Sequence, residues 1–329
     1  MNPKRAPQPD PSATSSQQDL LQYIQGGQIP FFRLPVVDPI AGLEADAVLM
    51  GVPYDGGTTY QPGARLGPYH VRRVSALVQP YHPVHRVDVF RRLRAVDGGN
   101  VVVPPFHAGA MRERVQAAVR QVVELGAAPV LVGGDHSITI PALRALARVH
   151  GPVALVHVDA HFDTSDGALW GEAYHHGTPV RHALLEGLVA EHQLYQIGLR
   201  GAWKDESEAD LAAGYGAHHV SADRVEEAGI GSVMDEIRAG IGDCPVYLSF
   251  DIDAVDPAFA PGTGTPVPGG LSSREALLLV RGLAGLNVVG LDLVEVAPPM
   301  DHADVTSLLA AHLVYEGLAL LACRDRAQP

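Results

Sequence analysis

Three apolar runs of this sequence each end in carboxylate or imidazole side chains at short spacings. These side chains are His136 after the first run, Asp159, His161 and Asp163 after the second, and Asp251 and Asp253 after the third. Residues i, i+2 and i+4 of an extended backbone point to the same side of a strand. We therefore expect the three side chains of the second run to converge on one point, and the two aspartates of the third run on another.

The chemistry that this set predicts is metal binding. Aspartates gathered without compensation repel each other and resist desolvation, and a divalent cation removes both problems. Carboxylate and imidazole donors without thiolates suit Mn²⁺ better than a structural zinc ion, while Ni²⁺, Co²⁺ and iron remain compatible with them. Two ions about 3.5–4 Å apart convert a shared water to hydroxide near neutral pH, which predicts a two-metal hydrolase. The sequence has no context for a nucleophilic serine or cysteine and no nicotinamide fingerprint.

Composition narrows the class of partner. The chain has 329 residues, 47% of them hydrophobic, and a formal net charge of -13. An acidic chain without a basic stripe repels phosphate, which argues against nucleic acid and favours a small cationic substrate. Two cysteines cannot build a disulfide framework or a thiolate metal site. The N-terminus lacks a secretory apolar segment and no run approaches eighteen apolar residues, so we predict a cytoplasmic protein without a membrane span.

From residue 47 onward, short β-branched runs alternate with longer helical periods, which predicts an α/β fold with a mainly parallel sheet covered on both faces. Predicted strands cover residues 47–52, 129–132, 153–158, 194–199, 246–250 and 288–293, and predicted helices cover 111–124, 138–149, 230–239, 272–283 and 305–321. Such sheets bind ligands beyond the carboxyl ends of their strands, where the candidate ligands and Glu295 lie. Residues 1–26 are predicted to form a disordered or extended tail, and residues 27–329 a single domain.

Several motifs together resemble those of the ureohydrolases, a family that includes arginase, agmatinase, guanidinobutyrase and proclavaminate amidinohydrolase. The matching segments include Gly133-Gly134-Asp135-His136-Ser137, Asp159-Ala160-His161-Phe162-Asp163, His176-Gly177-Thr178-Pro179, Ser249-Phe250-Asp251-Ile252-Asp253 and Glu295-Val296-Ala297-Pro298-Pro299. The resemblance implies a three-layer αβα fold with an eight-stranded parallel sheet and two Mn²⁺ ions per chain. It also implies a homo-oligomer, trimeric or hexameric, that hydrolyses a guanidino group to urea and an amine.

The resemblance implies a role for each candidate residue. The ligands of one ion, or bridges between the two ions, would be His136, Asp159, Asp163 and Asp251. The remaining ligands would be His161 and Asp253. Asp163 would also orient the bridging hydroxide. His176 would shuttle a proton to the departing amine, because an imidazole suits proton transfer near pH 7. Glu295 would pair with the substrate guanidinium.

Two further histidines adjoin these motifs. His157 lies two residues before Asp159 within an apolar run, and we interpret it as a core histidine or a support for a ligand. His175 precedes His176, but only His176 directly precedes the Gly-Thr-Pro segment. We therefore interpret His175 as a residue at the rim of the site.

The substrate is predicted from the loop between Thr164 and His175, which resembles the agmatinase-type branch and lacks the pattern with which arginase recognises an α-amino acid. Gln61 stands where that branch usually has arginine, and Val180 where phenylalanine is common. The missing positive charge weakens the case for a terminal carboxylate. Agmatine is therefore the first expectation, and a carboxylate-bearing guanidino compound such as 4-guanidinobutyrate the second. The six candidate ligands argue against a single-zinc deacetylase, and together with intact His176 and Glu295 against an inactive homologue.

Overall fold

An eight-stranded sheet forms the centre of the protein in a computed structural model that describes residues 30–37, 42–203, 205 and 207–324. The strands are β1 (Ala47–Val52), β2 (Tyr81–His82), β3 (Val87–Asp88), β4 (Ala95–Asn100), β5 (Ala128–Gly133), β6 (Val153–Val158), β7 (Val189–Leu199), β8 (His218–Ser221), β9 (Val246–Asp251) and β10 (Val288–Val294). Their order across the sheet is β4-β1-β5-β10-β9-β6-β7-β8, and all neighbours pair in parallel. Strands β2 and β3 form a separate antiparallel pair. The predicted parallel eight-stranded sheet is confirmed, whereas the predicted tail over residues 1–26 lies outside the described residues.

Helices cover both faces of the sheet. They are α1 (Gly67–Ser75), α2 (Val89–Arg92), α3 (Ala108–Glu124), α4 (Thr139–His150), α5 (Pro179–Leu185), α6 (Ser207–Gly214), α7 (Ala222–Ala228), α8 (Ile230–Ile241), α9 (Ser273–Gly282) and α10 (Val305–Cys323). Successive strand residues point to opposite faces, so Leu49 joins a core with α1, α8, α9 and α10 while Val48 joins a second core with α3, α4 and α5. This arrangement is the predicted three-layer αβα architecture.

Helix α10 bears on the expectation that no segment of the chain is long and apolar enough to span a membrane. It is 19 residues long with a mean hydropathy of 1.6, so its length and composition would allow it to cross a membrane. Within the protein, 83% of that apolar stretch is buried. A helix that is apolar on all sides is the usual form of a helix enclosed in a core, and α10 packs against α1, α9 and β10.

Each predicted strand and helix is observed, but helices α1, α2, α5, α6 and α7 and the β2–β3 pair had no counterpart among the predictions. The apolar runs at residues 47–52 and 153–158 are β1 and β6 as predicted, and the Ser272 hydroxyl caps α9 by accepting from the Glu275 backbone N–H. Edge strands β4 and β8 were not predicted, because β4 ends in Asp97-Gly98-Gly99-Asn100 and β8 begins with two histidines. Neither segment carries the continuous apolar pattern of a buried strand.

The strand order determines where the candidate ligands meet. Strands β5, β10, β9 and β6 are neighbours at the centre of the sheet, and they run in the same direction. His136, Glu295 and Asp159 follow β5, β10 and β6, respectively, within three positions, and Asp251 is the last residue of β9. Parallel strands present their carboxyl ends at one edge of a sheet, so these four side chains are brought together from distant parts of the sequence.

Candidate active site

The His136 group is the more buried of two clusters at this edge. Its imidazole Nδ1 lies 3.1 Å from Asp159 Oδ2, 3.0 Å from Asp163 Oδ2 and 3.2 Å from Asp251 Oδ2. All four side chains are less than a tenth exposed. Asp163 reaches this position with a backbone φ of +54°, a left-handed conformation that is rare outside glycine and is found at functional sites where the surrounding structure enforces it.

The second cluster centres on His161, whose side chain is 40% exposed. His161 Nδ1 lies 3.3 Å from Asp159 Oδ1 and 3.1 Å from Asp253 Oδ2. Asp159 therefore presents one carboxylate oxygen to each cluster. The convergence predicted by strand alternation is wrong in its grouping, because Asp163 and His161 point to different clusters and so do Asp251 and Asp253. The reason is that the strands end at residues 158 and 251, so most of these side chains lie on turns where the two-residue period no longer applies.

Hydrogen bonds behind His136 show that the first cluster fits a cation. His136 Nε2 donates to Ser249 Oγ at 2.8 Å, and Ser249 Oγ donates to Asp292 Oδ1 at 2.7 Å. Asp292 Oδ2 also accepts from Tyr247 Oη at 2.7 Å and Thr139 Oγ1 at 2.8 Å. In the neutral tautomer with its proton on Nε2, the imidazole would turn the Nδ1 lone pair toward three carboxylates, an arrangement that requires a cation or a second proton between them. A cation relieves this opposition, and a ligand histidine whose other nitrogen donates onward is the usual arrangement in metal sites.

Unpaired atoms lead to the same conclusion. His136 Nδ1, Asp159 Oδ2 and Asp163 Oδ2 are buried without a hydrogen-bond partner among the described residues. Burial alone would lower the pKa of His136, but Asp163, Asp159 and Asp251 raise it well above its usual value. Burial together with Asp253 and Asp159 raises the pKa of Asp251 well above its usual range. The cluster is thus too rich in buried negative charge to be stable without bound cations or protons.

His157 lies beside this group as a support. Its ring is fully buried and stacks on His136 with 5.1 Å between centroids. Gln196 Nε2 donates to His157 Nδ1 at 3.2 Å and to the Phe162 carbonyl at 2.9 Å. The His157 proton must then lie on Nε2, which faces Asp159 Oδ2 at 3.1 Å. A protonated Nε2 in this position points toward the Asp159 carboxylate and orients it, which is the role of a support.

Glu295 and His176 form a pair next to the His136 group. Glu295 Oε1 accepts from the His136 backbone N–H at 2.9 Å and from His176 Nδ1 at 3.0 Å. Glu295 Oε2 is buried with no partner among the described residues, and the residue has a φ of +63°. On its other side, His176 Nε2 lies 2.7 Å from Thr59 Oγ1. Burial lowers the pKa of His176, but the Glu295 carboxylate more than compensates and raises it to about 9.

The loop that carries Thr59 is held by Asp135. Asp135 Oδ2 accepts from the Gly57 N–H at 2.7 Å, and its Oδ1 accepts from the Ser137 N–H at 3.0 Å. A neighbouring glycine allows this approach, because a Cβ on Gly134 would lie 1.8 Å from the Tyr54 carbonyl oxygen. The Asp135 carboxylate therefore supports the site through backbone contacts.

His175, predicted to lie at the rim of the site, does line the cavity, but as a buried residue. The residue is only 4% exposed. His175 Nδ1 accepts from the Gly177 N–H at 3.1 Å, and its own backbone N–H donates to Thr178 Oγ1 at 3.2 Å. Its ring thereby stabilises the turn that places His176, because small backbone turns depend on such local side-chain acceptors.

A cavity of about 630 Å³ opens onto both clusters. Besides ligands and His176, its lining includes Trp170, Asp166, Arg181 and Glu208. Gln61, Tyr174 and Val180 are not among the described residues that line it. The Val180 side chain is buried in the core, and the Tyr174 ring lies between the Arg112 guanidinium and the stacked ring of His182. The departures at positions 61 and 180 therefore do not change the wall of the cavity directly.

Comparisons with known proteins identify the family. The model of the arginase family matches residues 45–319. The chain belongs to the arginase family. It is therefore a hydrolase of a dimetal-dependent family, and both clusters lie where such a centre requires donors.

Several relatives in the arginase family are similar over nearly their whole length. Proclavaminate amidinohydrolase of Streptomyces clavuligerus is 45% identical over 302 residues, which are 92% of this chain and 96% of the relative. Its solved structure matches with a TM-score of 0.85 at 44% identity, covering 90% of this chain and 98% of that one. Mitochondrial agmatinase of Gallus gallus is 44% identical, with coverage of 90% and 86%. Mitochondrial guanidino acid hydrolase of Homo sapiens is 43% identical, with coverage of 90% and 83%.

Proposed function

We propose that the protein hydrolyses the guanidino group of a linear alkylguanidine to urea and an amine, using two divalent cations. The observation that carries this proposal is Glu295 Oε2, which is buried beside the ligand clusters without a hydrogen-bond donor. A buried carboxylate oxygen without a donor costs free energy, and a substrate guanidinium supplies the missing N–H group with an opposite charge. Relatives named agmatinase and guanidino acid hydrolase support the same class of substrate.

The proposed ligand sets follow the two clusters. One cation would be held by His136, Asp159, Asp163 and Asp251. The other would be held by His161, Asp253 and the second oxygen of Asp159. When bound, two such cations supply a hydroxide near neutral pH by lowering the pKa of a shared water molecule. We propose Mn²⁺ for both positions, because aspartate oxygens outnumber imidazoles and no thiolate is present.

The chain's own residues position the substrate and move the proton. Glu295 Oε2 accepts from the guanidinium and holds its carbon beside the clusters, while Oε1 stays fixed by the His136 N–H. Asp163 lines the same cavity, and its carboxylate would orient a hydroxide there by accepting a hydrogen bond from it. His176 carries a proton on Nδ1, 3.0 Å from Glu295 Oε1. That proton is next to the guanidinium site, where the departing amine requires one.

The identity of the substrate's tail has two candidates. Agmatine, the first expectation from the sequence, carries an ammonium at the end of its chain, and 4-guanidinobutyrate carries a carboxylate. Both share the guanidinium that Glu295 would bind, so the contact with Glu295 does not discriminate between them. The cytoplasmic location and the homo-oligomeric state remain predictions of the sequence.

Urea release from a panel of guanidino compounds tests the proposal. Protein loaded with Mn²⁺ should release urea from agmatine, 4-guanidinobutyrate or butylguanidine and much less from arginine. The Glu295→Gln variant should lose activity on every substrate of the panel without changing their ranking, because it acts on the shared guanidinium. Arginine as the best substrate would contradict the assignment to the agmatinase-type branch, and an absence of urea from all substrates would reject the function.

A further inference from the structure

One basic side chain in the cavity wall, that of Arg181, has no partner among the described residues. Arg181 lines the same cavity as Asp163, His176 and Asp253. Its backbone N–H donates to the Asp163 carbonyl at 3.1 Å, so its position is tied to the loop that carries a candidate ligand. Its guanidinium forms no hydrogen bond or ion pair with any described residue.

Helix stability does not explain this arginine. Arg181 is the third residue of α5, in the first turn of the helix. Cations are stabilising near the C-terminus of a helix and unfavourable near its N-terminus, because the helix dipole is positive there. Many arginines of the described part of the chain are paired, as Arg144 is with Glu186 at 2.6 Å. Arg181 differs from other unpaired ones, such as the exposed Arg148, because it lines the cavity. An unpaired guanidinium in a cavity rich in carboxylates indicates a role toward a ligand.

We propose that Arg181 binds the terminal carboxylate of a linear guanidino acid while Glu295 binds its guanidinium. This inference rests on the proposed function and assigns its substrate class. A guanidinium binds a carboxylate through two parallel N–H···O bonds, which gives both affinity and orientation. The same side chain repels the ammonium of agmatine, so it selects between two substrates that are alike at the reacting end. The loss of arginine at position 61 does not oppose this, because Gln61 is absent from the described cavity lining.

Two acidic residues of the cavity wall could instead attract an ammonium. Asp166 is exposed, and its Oδ1 accepts from the Ala168 N–H at 3.0 Å within its own loop. Glu208 is placed by its backbone, since its carbonyl accepts from Thr164 Oγ1 at 2.6 Å. Asp166 thus has a local structural role that needs no ligand, and Arg181 has none. This difference favours the acid over the amine.

The test compares three substrates that differ only at the tail: 4-guanidinobutyrate, butylguanidine and agmatine. Wild-type protein loaded with Mn²⁺ should have its highest kcat/KM on 4-guanidinobutyrate. Arg181→Gln should lower kcat/KM for that substrate roughly 10- to 100-fold, the range expected for a charge-assisted hydrogen bond, mainly through KM. The same variant should leave butylguanidine within about twofold and agmatine unchanged or improved. The kcat/KM of Arg181→Lys for 4-guanidinobutyrate should lie between those of the wild type and Arg181→Gln, because lysine keeps the charge but not the two parallel N–H groups.

Matched controls separate this inference from the proposed function. Arg148→Gln removes an exposed arginine of α4 outside the cavity wall and should change no ratio between substrates. Melting temperature checks that Arg181→Gln remains folded. If wild-type protein prefers agmatine, or if Arg181→Gln affects all three substrates equally, the carboxylate assignment is wrong while the guanidino hydrolase function stands. If none of the three yields urea, the function itself is rejected and this inference with it.

Discussion

Two groups of histidines and carboxylates in this protein look alike by composition but differ in their hydrogen bonds. One is the His136 group at the edge of the sheet, and the other consists of His82, His85 and Glu316 between the β2–β3 hairpin and α10. In the second group, His82 Nδ1 accepts from the His85 N–H at 3.1 Å, and its Nε2 donates to Glu316 Oε2 at 2.8 Å. Arg281 Nε donates to the other Glu316 oxygen at 2.8 Å. Both ring nitrogens of His82 and both carboxylate oxygens of Glu316 thus have partners, while His85 Nε2 has none among the described residues.

The comparison shows that whether such a histidine can bind a metal depends on the hydrogen bond made by the ring nitrogen that faces away from the carboxylates. Behind His136, Nε2 donates to Ser249, which leaves the Nδ1 lone pair facing carboxylates. Behind His82, Nδ1 accepts a backbone N–H, so the proton faces the carboxylate and forms an ordinary buried hydrogen bond. The first arrangement fits a metal ion, and the second is already satisfied without one.

The largest expected effect comes from Asp159, which faces both clusters. Asp159→Ala should lower the metal content toward zero and remove urea release. Asp253→Ala should spare the His136 group and leave about one ion per chain, because Asp253 contacts only His161 among the histidines. Metal analysis after dialysis measures both variants. Equal metal loss in the two would show that the clusters do not bind separately.

His176→Asn should lower kcat on the order of 10²- to 10⁴-fold while the metal content is kept, because it removes the proton donor and no ligand. In the wild type, the Glu295 carboxylate outweighs the effect of burial and raises the pKa of His176 to about 9. The proton is therefore present at neutral pH and is lost as the pH rises through that value. We expect kcat to fall above about pH 9. A rate that keeps rising well beyond this pH would contradict the role.

Asp292→Asn should weaken metal binding about 10- to 100-fold without touching a ligand, because it alters the chain of hydrogen bonds that orients His136 through Ser249. The expected readout is a lower affinity for Mn²⁺ in a titration against a competing chelator. Asp235→Asn, on the exposed face of α8, is the control. Unchanged affinity in Asp292→Asn would show that the orientation of His136 does not depend on this network.

The smallest effect on activity should come from the second group. His82→Gln should leave the number of bound ions and kcat unchanged. It should lower the free energy of unfolding by about 2 kcal/mol, because the buried Glu316 loses a hydrogen bond. Urea denaturation measures this loss. A fall in bound metal in this variant would contradict the conclusion that only the groups at the edge of the sheet bind metal.

Much of the fold was predictable because its central strands are continuous apolar runs, such as Val153 to Val158. The six candidate ligands were found because each follows such a run. Their division between two clusters was not found, since it depends on turns such as the left-handed Asp163. Asp292, Gln196 and Arg181 carry no motif of their own. Their roles arise from contacts across the sheet or from their place in the cavity wall, which sequence spacing does not encode.

The most direct test of the central claim is the number of metal ions per chain. Apoprotein titrated with Mn²⁺ and measured by elemental analysis should saturate at two ions, as expected for a two-metal hydrolase with Asp159 facing both clusters. Urea release should appear in parallel with the filling of these positions. Saturation at one ion, with full activity on a guanidino substrate, would contradict the account.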